Sequence, residues 1–230
     1  MKVYKATGQD LSCHMGRGVF QYAMGEPAEA EKAKCGKEGL HACEYVLDCL
    51  NYYGLEGNRF FEAEAEGDIA EDGANTRVSC TRLTLVRELG RPDIAREAIR
   101  YMVRHPRREW KHRSTGVTVA EEQAQADFTG GIAIARGREP RVKGKKGSCL
   151  GLIREDGERI LAARLFSVAG PIRENVWYTI EEAEKAIREG AEKDEEKKDS
   201  DSTGKASGKE NGRPDNGQGS GRISDSGYLA

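Results

Sequence analysis

No apolar run in this 230-residue sequence reaches the roughly 18 residues that a bilayer-spanning helix needs. The opening MKVYKATGQD also lacks the apolar stretch of a secretory leader, so the expected location is the host cell cytoplasm, away from membranes. An excess of charge of one sign is missing too. Thirty-seven lysines and arginines face 39 aspartates and glutamates, so net charge alone calls for neither nucleic acid, nor a membrane, nor an acidic substrate. There is no Walker phosphate loop, no G-x-S-x-G elbow and no H-E-x-x-H pair, which removes the familiar nucleotide switches and hydrolases. Nothing has the pattern of a helix-turn-helix, a zinc finger or an RNA-recognition motif, so sequence-specific base readout is not expected.

Cysteine is present but irregular. Cys13, Cys35, Cys43, Cys49, Cys80 and Cys149 follow no framework spacing, and a chain of this length needs no stapling, so reduced thiols are predicted. Cys13, His14, Cys35, His41, Cys43 and Cys49 are the residue types a Zn²⁺ site uses. They include no C-x2-C or H-x3-5-H pair, and neither a metal nor any other cofactor is predicted. Small buried thiols beside a hydrogen-bonded His41 are the expectation. A Cys-His catalytic pair drawn from the same residues would need an orienting partner and an oxyanion hole that sequence does not display.

The composition divides the chain. Residues 1–190 suit a single α+β domain, with 1–113 and 114–190 as its available sub-lobes. From Ala191 to the end, large apolar side chains almost vanish, and 191–230 is predicted to be a disordered polar tail. The fold class expected is a mixed or antiparallel sheet with two main helices and a Gly-punctuated, β-rich C-terminal half. Val3 to Ala6 and Val19 to Tyr22 read as short strands around a turn through Gly16 and Gly18. GLHACEYVLDCLNYYG reads as a strand or turn entering a helix that Gly54 stops. In NRFFEAEAEGDI, Phe61, Ala63 and Ala65 fall on one face of a half-buried strand. TRVSCTRLTLV is a further strand, and GRPDIAREAIRYMVRH is the strongest helix, with Ile94, Ala98, Ile99, Met102 and Val103 as its apolar stripe. GIAIARG, SCLGLIRED, RILAARLFSVAG and NVWYTI read as strands, with EDGE as a hairpin turn. Thr179 and Glu182 form a capping box that opens a short charged helix through Glu189.

The opening VYKAT, C-x5-HAC followed by LDCLNYY, the strand RFFEAEAEGDI, and the late GIAIARG, KGKKGSCLGLI and VWYTI occur in an order that resembles a phage- and prophage-encoded family of unknown function. The resemblance covers roughly residues 1–180 and implies a phage setting and a fold, without an activity. Many members carry short Gly/Ala-rich repeats before the GIAIARG-like segment; VTVAEEQAQADFTG stands there instead, leaving at most a remnant of a solenoid.

Three sets of residues bear on function. The layout of VYKAT, GLHACEYVLDCLNYY and RFFEAEAEG is similar to the NAD-binding half of ADP-ribosyltransferases of the poly-ADP-ribose polymerase kind. That likeness puts His41 where a tyrosine stacks on nicotinamide and Asn51-Tyr52 at the helix end, so Lys5, His41 and Tyr52 become nucleotide-binding candidates. Lys5 and Thr7 replace the signature of the opening strand, and no glutamate stands in a recognisable motif to polarise a ribose hydroxyl. The second set is a basic stretch with Arg104, Arg107, Arg108, Lys111 and Arg113. The third, also basic, includes Arg141, Lys143, Lys145 and Lys146. These two could neutralise phosphates without reading sequence, and a nucleic-acid binder requires them on one face. The first function expected is a non-enzymatic interaction module for a host or phage macromolecule. The second is a nucleotide pocket around His41, and the third a non-specific nucleic-acid binder. Convergence of His41, Lys5 and a carboxylate in one cleft would favour the pocket.

Overall fold

Alternation along two strands sets the architecture. Val3 packs into one apolar cluster, and Tyr4 and Ala6 into another; Phe61, Ala63 and Ala65 join the first cluster while Phe60 joins the second. The computed structural model describes residues 1–14, 18–73 and 75–203. Its first half runs β1 (Lys2–Thr7), β2 (Ser12–Cys13), β3 (Phe20–Gln21), β4 (Pro27–Glu29), β5 (Leu40–Cys43), a 3-10 helix (Val46–Asn51), β6 (Arg59–Glu71), β7 (Arg77–Leu89) and α1 (Arg91–Arg104). All pairings of the main sheet are antiparallel. β7 pairs with β5, β5 with β1, β1 with β6, and β6 with β7 again, so the sheet closes into a small barrel. Its interior holds Val3, Leu40, Phe61, Val78, Leu83 and Leu85.

The second half runs β8 (His112–Ser114), β9 (Val117–Ala126), β10 (Ile132–Gly144), β11 (Cys149–Asp156), β12 (Arg159–Ser167) and α2 (Ile180–Thr203). β10 lies parallel to both neighbours, with Ile132 opposite Val117 on one side and Cys149 on the other. Only residues 127–131 and 145–148 connect these strands. Straight parallel strands need a crossover of about a dozen residues or more. Such short returns require the strands to curl so that successive turns of chain stack, which is a β-solenoid in miniature. The break in register between Arg136 and Arg141 marks a bend. There the Glu122 carboxylate accepts hydrogen bonds from the Arg138 and Glu139 backbone N–H groups at 2.8 and 3.1 Å. It occupies the space a side chain at Gly137 would need. β12 closes the sheet as an antiparallel hairpin through the predicted EDGE turn.

α1 lies between the two halves. Gly90 N–H donates to Asp93 at 3.1 Å at its start, where Pro92 costs nothing. Ile94, Ala95, Ala98, Ile99 and Met102 are buried in a cluster that draws Tyr4, Leu47 and Phe60 from the first half and Ile134, Cys149 and Ile153 from the second. Each large apolar side chain there stabilises by about 1.5–3 kcal/mol. The other face of the second sheet, Ala133, Ala135, Leu150 and Leu152, packs on Ile180 and Ala183 of α2.

Several local expectations are revised. Val103 lies at the exposed margin of α1, and Glu97 takes the buried place, held by polar partners described below. The helix expected after HAC is a single 3-10 stretch, fixed by Asp48, which accepts from Thr76 N–H and Oγ1 at 2.8 and 2.7 Å. NVWYTI forms no strand; only Tyr178 bridges to Val142. The predicted Thr179–Glu182 capping box is present in both directions, at 2.8 and 3.3 Å. The helix it opens runs to Thr203, beyond Glu189, because Glu and Lys continue as good helix formers with pairs such as Lys185–Glu189. Of the glycine turn between β2 and β3, Gly16 lies outside the described residues, as does 204–230 of the expected tail.

Candidate ligand-binding cleft

Lys5 shares its face of β1 with Val3 and so points into the end of the barrel. It is only 6 % exposed, yet its ammonium meets no carboxylate among the described residues. Nζ donates to the His41 carbonyl oxygen at 2.7 Å and to Cys13 Sγ at 3.6 Å, and lies 5.2 Å from the centre of the Tyr22 ring. A buried cation met by neutral groups alone leaves positive charge uncompensated.

Around it opens a cleft of about 570 Å³, lined by Lys5, Cys13, His14, Phe20, Tyr22, Lys37, Glu38, His41, Tyr52 and Arg77 among others. Lys5, Cys13, His41, Tyr52 and Arg77 also line a smaller recess of about 50 Å³ behind it, where Cys43, Cys49 and Tyr53 join them. The volume is that of a small-molecule site. Arg77 comes from the start of β7 and pairs with Asp72 across the turn, its guanidinium 5.9 Å from the Tyr52 ring. That ion pair holds both groups and pushes Arg77 further up its already high range.

Glu38, which lines the cleft, is exposed, and Asp72 reaches the cleft only through its pair with Arg77. His41 is half-buried. Nε2 accepts from Gly36 N–H at 2.9 Å. The ring thus pins the loop between Cys35 and Gly39. Burial, with help from Lys5 and Arg77, holds it below its ordinary range. A ring held below its ordinary range, with Nε2 already accepting from a backbone N–H, suits a positioning role better than proton transfer.

None of the six cysteines is joined in a disulfide. Cys49 donates to Tyr4 O, Cys80 to Leu40 O and Cys35 to Arg77 O. Among the described residues no group of three or more His, Cys, Asp or Glu side chains converges as a metal site requires.

The sequence candidates Lys5, His41 and Tyr52 therefore meet in one cleft. Cys13 was considered only as one of the Cys/His set, and Arg77, Lys37 and Tyr53 were not singled out because no local pattern marks them; folding brings Arg77 there from a distant position. The basic stretches lie elsewhere, in the second half and its approach. Arg107 pairs with Glu158 and Lys111 with Glu121; Arg104 lines a separate hollow with Lys2, Glu97 and Arg100. Arg108 and Arg113 are exposed. Arg141 approaches Glu182 at 3.9 Å, Lys143 lies over the Trp177 ring at 4.8 Å, and Lys145 and Lys146 sit in the turn after β10. Acids of the same half thus partner several of these charges, in exposed pairs worth little individually.

These features define the class as an α+β protein with a cationic, tyrosine-lined cleft at the end of a closed antiparallel barrel. Residues 1–97, which include every strand of that barrel, match a family described as Domain of unknown function (DUF7666), and the match ends inside α1. No curated protein and no solved structure matches the chain. No helix among the described residues is long and apolar enough to cross a membrane.

Proposed function

We propose that the protein is a non-enzymatic binding module whose cleft holds a small anionic ligand carrying a planar ring, a nucleotide in chemical class. The observation that carries this reading is Lys5, buried without a carboxylate at the floor of a cleft large enough for such a ligand. An anion would supply the missing countercharge in a site of reduced dielectric. Arg77 and Lys37 add positive charge, and Tyr52 offers a ring face for stacking. His41 Nε2 is already taken by the Gly36 N–H, which argues against proton transfer by this residue in the cleft. In the form first expected from sequence, the ligand would be a group carried by a host or phage macromolecule in a phage setting.

Titration calorimetry of the full chain with AMP, NAD and inorganic phosphate tests the reading. Binding of AMP or NAD is expected, weaker binding of phosphate, and a loss of roughly tenfold or more in affinity in Lys5→Met, equivalent to about 1.4 kcal/mol. No heat with any of the three would sink the small-ligand reading. Recovery of partners from lysate with and without nuclease then separates a protein partner from nucleic acid held by the basic stretches.

A further inference from the structure

Two hydrogen-bond donors converge on one sulfur in the same cleft. Tyr53 Oη donates to Cys13 Sγ at 3.0 Å, and the Lys5 ammonium approaches that sulfur at 3.6 Å. They arrive from different elements, the loop after the 3-10 helix and the centre of β1. We propose that Cys13 is the reactive thiol of this protein, a site of covalent modification by small electrophiles that enter the cleft.

The argument is electrostatic and geometric. A thiolate, not a thiol, attacks an electrophile, and its negative charge is favoured by a nearby cation and by donors aimed at it. Lys5 provides both, and its charge is opposed by no carboxylate among the described residues. Tyr53 provides a second donor, so both contacts strengthen when the proton leaves the sulfur. Access is present as well: Cys13 is only partly buried and lines both the cleft and the recess behind it. The other cysteines differ. Cys43, Cys49, Cys80 and Cys149 are buried. Burial pushes the Cys80 and Cys35 thiols up and takes Cys149 to about 11, while a hydrogen bond to Cys49 together with burial raises Cys43.

With iodoacetamide as probe the step balances simply. The thiol proton passes to solvent, the sulfur lone pair forms the C–S bond, and iodide leaves with the electrons of the C–I bond. The inference shares the cleft with the proposed nucleotide but does not require it, since labelling is measured without ligand. The experiment is limited alkylation of the native full chain from pH 6 to 9, with peptide mapping by mass spectrometry and N-acetylcysteine as the reference.

Cys13 is expected to label first, several-fold faster than the reference at pH 7, with the advantage shrinking toward pH 9. Lys5→Met should slow it about threefold or more at pH 7 and shift its rate profile to higher pH, and Lys5→Arg should restore part of the rate. Tyr53→Phe, which removes only a hydroxyl, gives a second reading should Lys5→Met fold poorly, and a smaller slowing is expected there. The proposal is overturned if Cys13 reacts no faster than the reference, if Cys35 labels first, or if neither folded variant changes the Cys13 rate.

Discussion

The Tyr4 hydroxyl donates to a Glu97 carboxylate oxygen across 2.7 Å and thereby fastens β1 to the buried side of α1. Lys2 reaches the same oxygen at 3.1 Å and Arg100 the other at 2.8 Å, so a carboxylate only 4 % exposed is fully paired. Burial pulls its proton affinity upward, but the Tyr4 hydrogen bond, Lys2 and Arg100 outweigh it and hold Glu97 below the usual carboxylate range. Tyr4→Phe should cost about 1–2 kcal/mol and Glu97→Ala about 3–5 kcal/mol, the latter because Lys2, Arg100 and the Tyr4 hydroxyl lose a common acceptor. Urea unfolding of the two variants and their double mutant checks this, and equal costs for the two single variants would refute the shared-acceptor account.

Two histidines make stability depend on mild acid. Burial lowers His41, with Lys5 and Arg77 adding to the effect, and burial also lowers His112. A depressed histidine binds fewer protons folded than unfolded, so its contribution is present above the unfolded value, about 6.5, and is lost as pH falls through the folded value. The urea midpoint should therefore fall between pH 7.5 and 5.5. His41→Gln with His112→Gln should flatten that slope, and an unchanged slope in the double variant would place its origin elsewhere.

Close approach at two glycines gives a packing test. A Cβ on Gly151 would lie 2.9 Å from Ile134 Cγ1 and 2.9 Å from Ile99 Cδ1, where α1 rests on β11. Gly151→Ala should cost about 1–3 kcal/mol by overpacking, and adding Ile99→Val, which deletes the offending methyl, should make the pair less than additive. A Cβ on Gly137 would strike the Glu122 carboxylate that caps the solenoid bend, so Gly137→Ala should destabilise to a similar extent.

The strands and α1 were legible because each carries its own period: FFEAEAE alternates, and REAIRYM repeats at helical spacing. The closure of the barrel was not, since it depends on β1 meeting both β5 and β6 across long stretches of chain. The solenoid was legible only as a remnant, because VTVAEEQAQA lacks the Gly/Ala-rich repeat and its place as a rung shows only when β10 lies beside it. Lys5, His41 and Tyr52 could be named from layout. Arg77 could not, because a lone arginine in TRVSC carries no local sign of the cleft it will line, and Cys13 could be named only as one of a Cys/His set.

The family match ends at residue 97, halfway along α1, yet the buried face of that helix continues through Ala98, Ile99, Tyr101 and Met102. Those side chains pack in a cluster that also contains Val117, Val119, Ile132, Ile134 and Ile153 from the second sheet. Cutting the chain after residue 113 would strip the α1 stripe of its neighbours in the second sheet and leave it partly facing water, a loss of up to about 1.5–3 kcal/mol for each of Ile94, Ile99 and Met102 against a total stability of roughly 5–15 kcal/mol. A fragment of residues 1–113 should therefore aggregate or show poorly dispersed amide resonances, whereas 1–203 should give a well-dispersed spectrum and one cooperative unfolding transition. If the short fragment proves folded and melts cooperatively, the barrel is an independent unit, and the shared core around α1 is an interface between two domains instead of the centre of one.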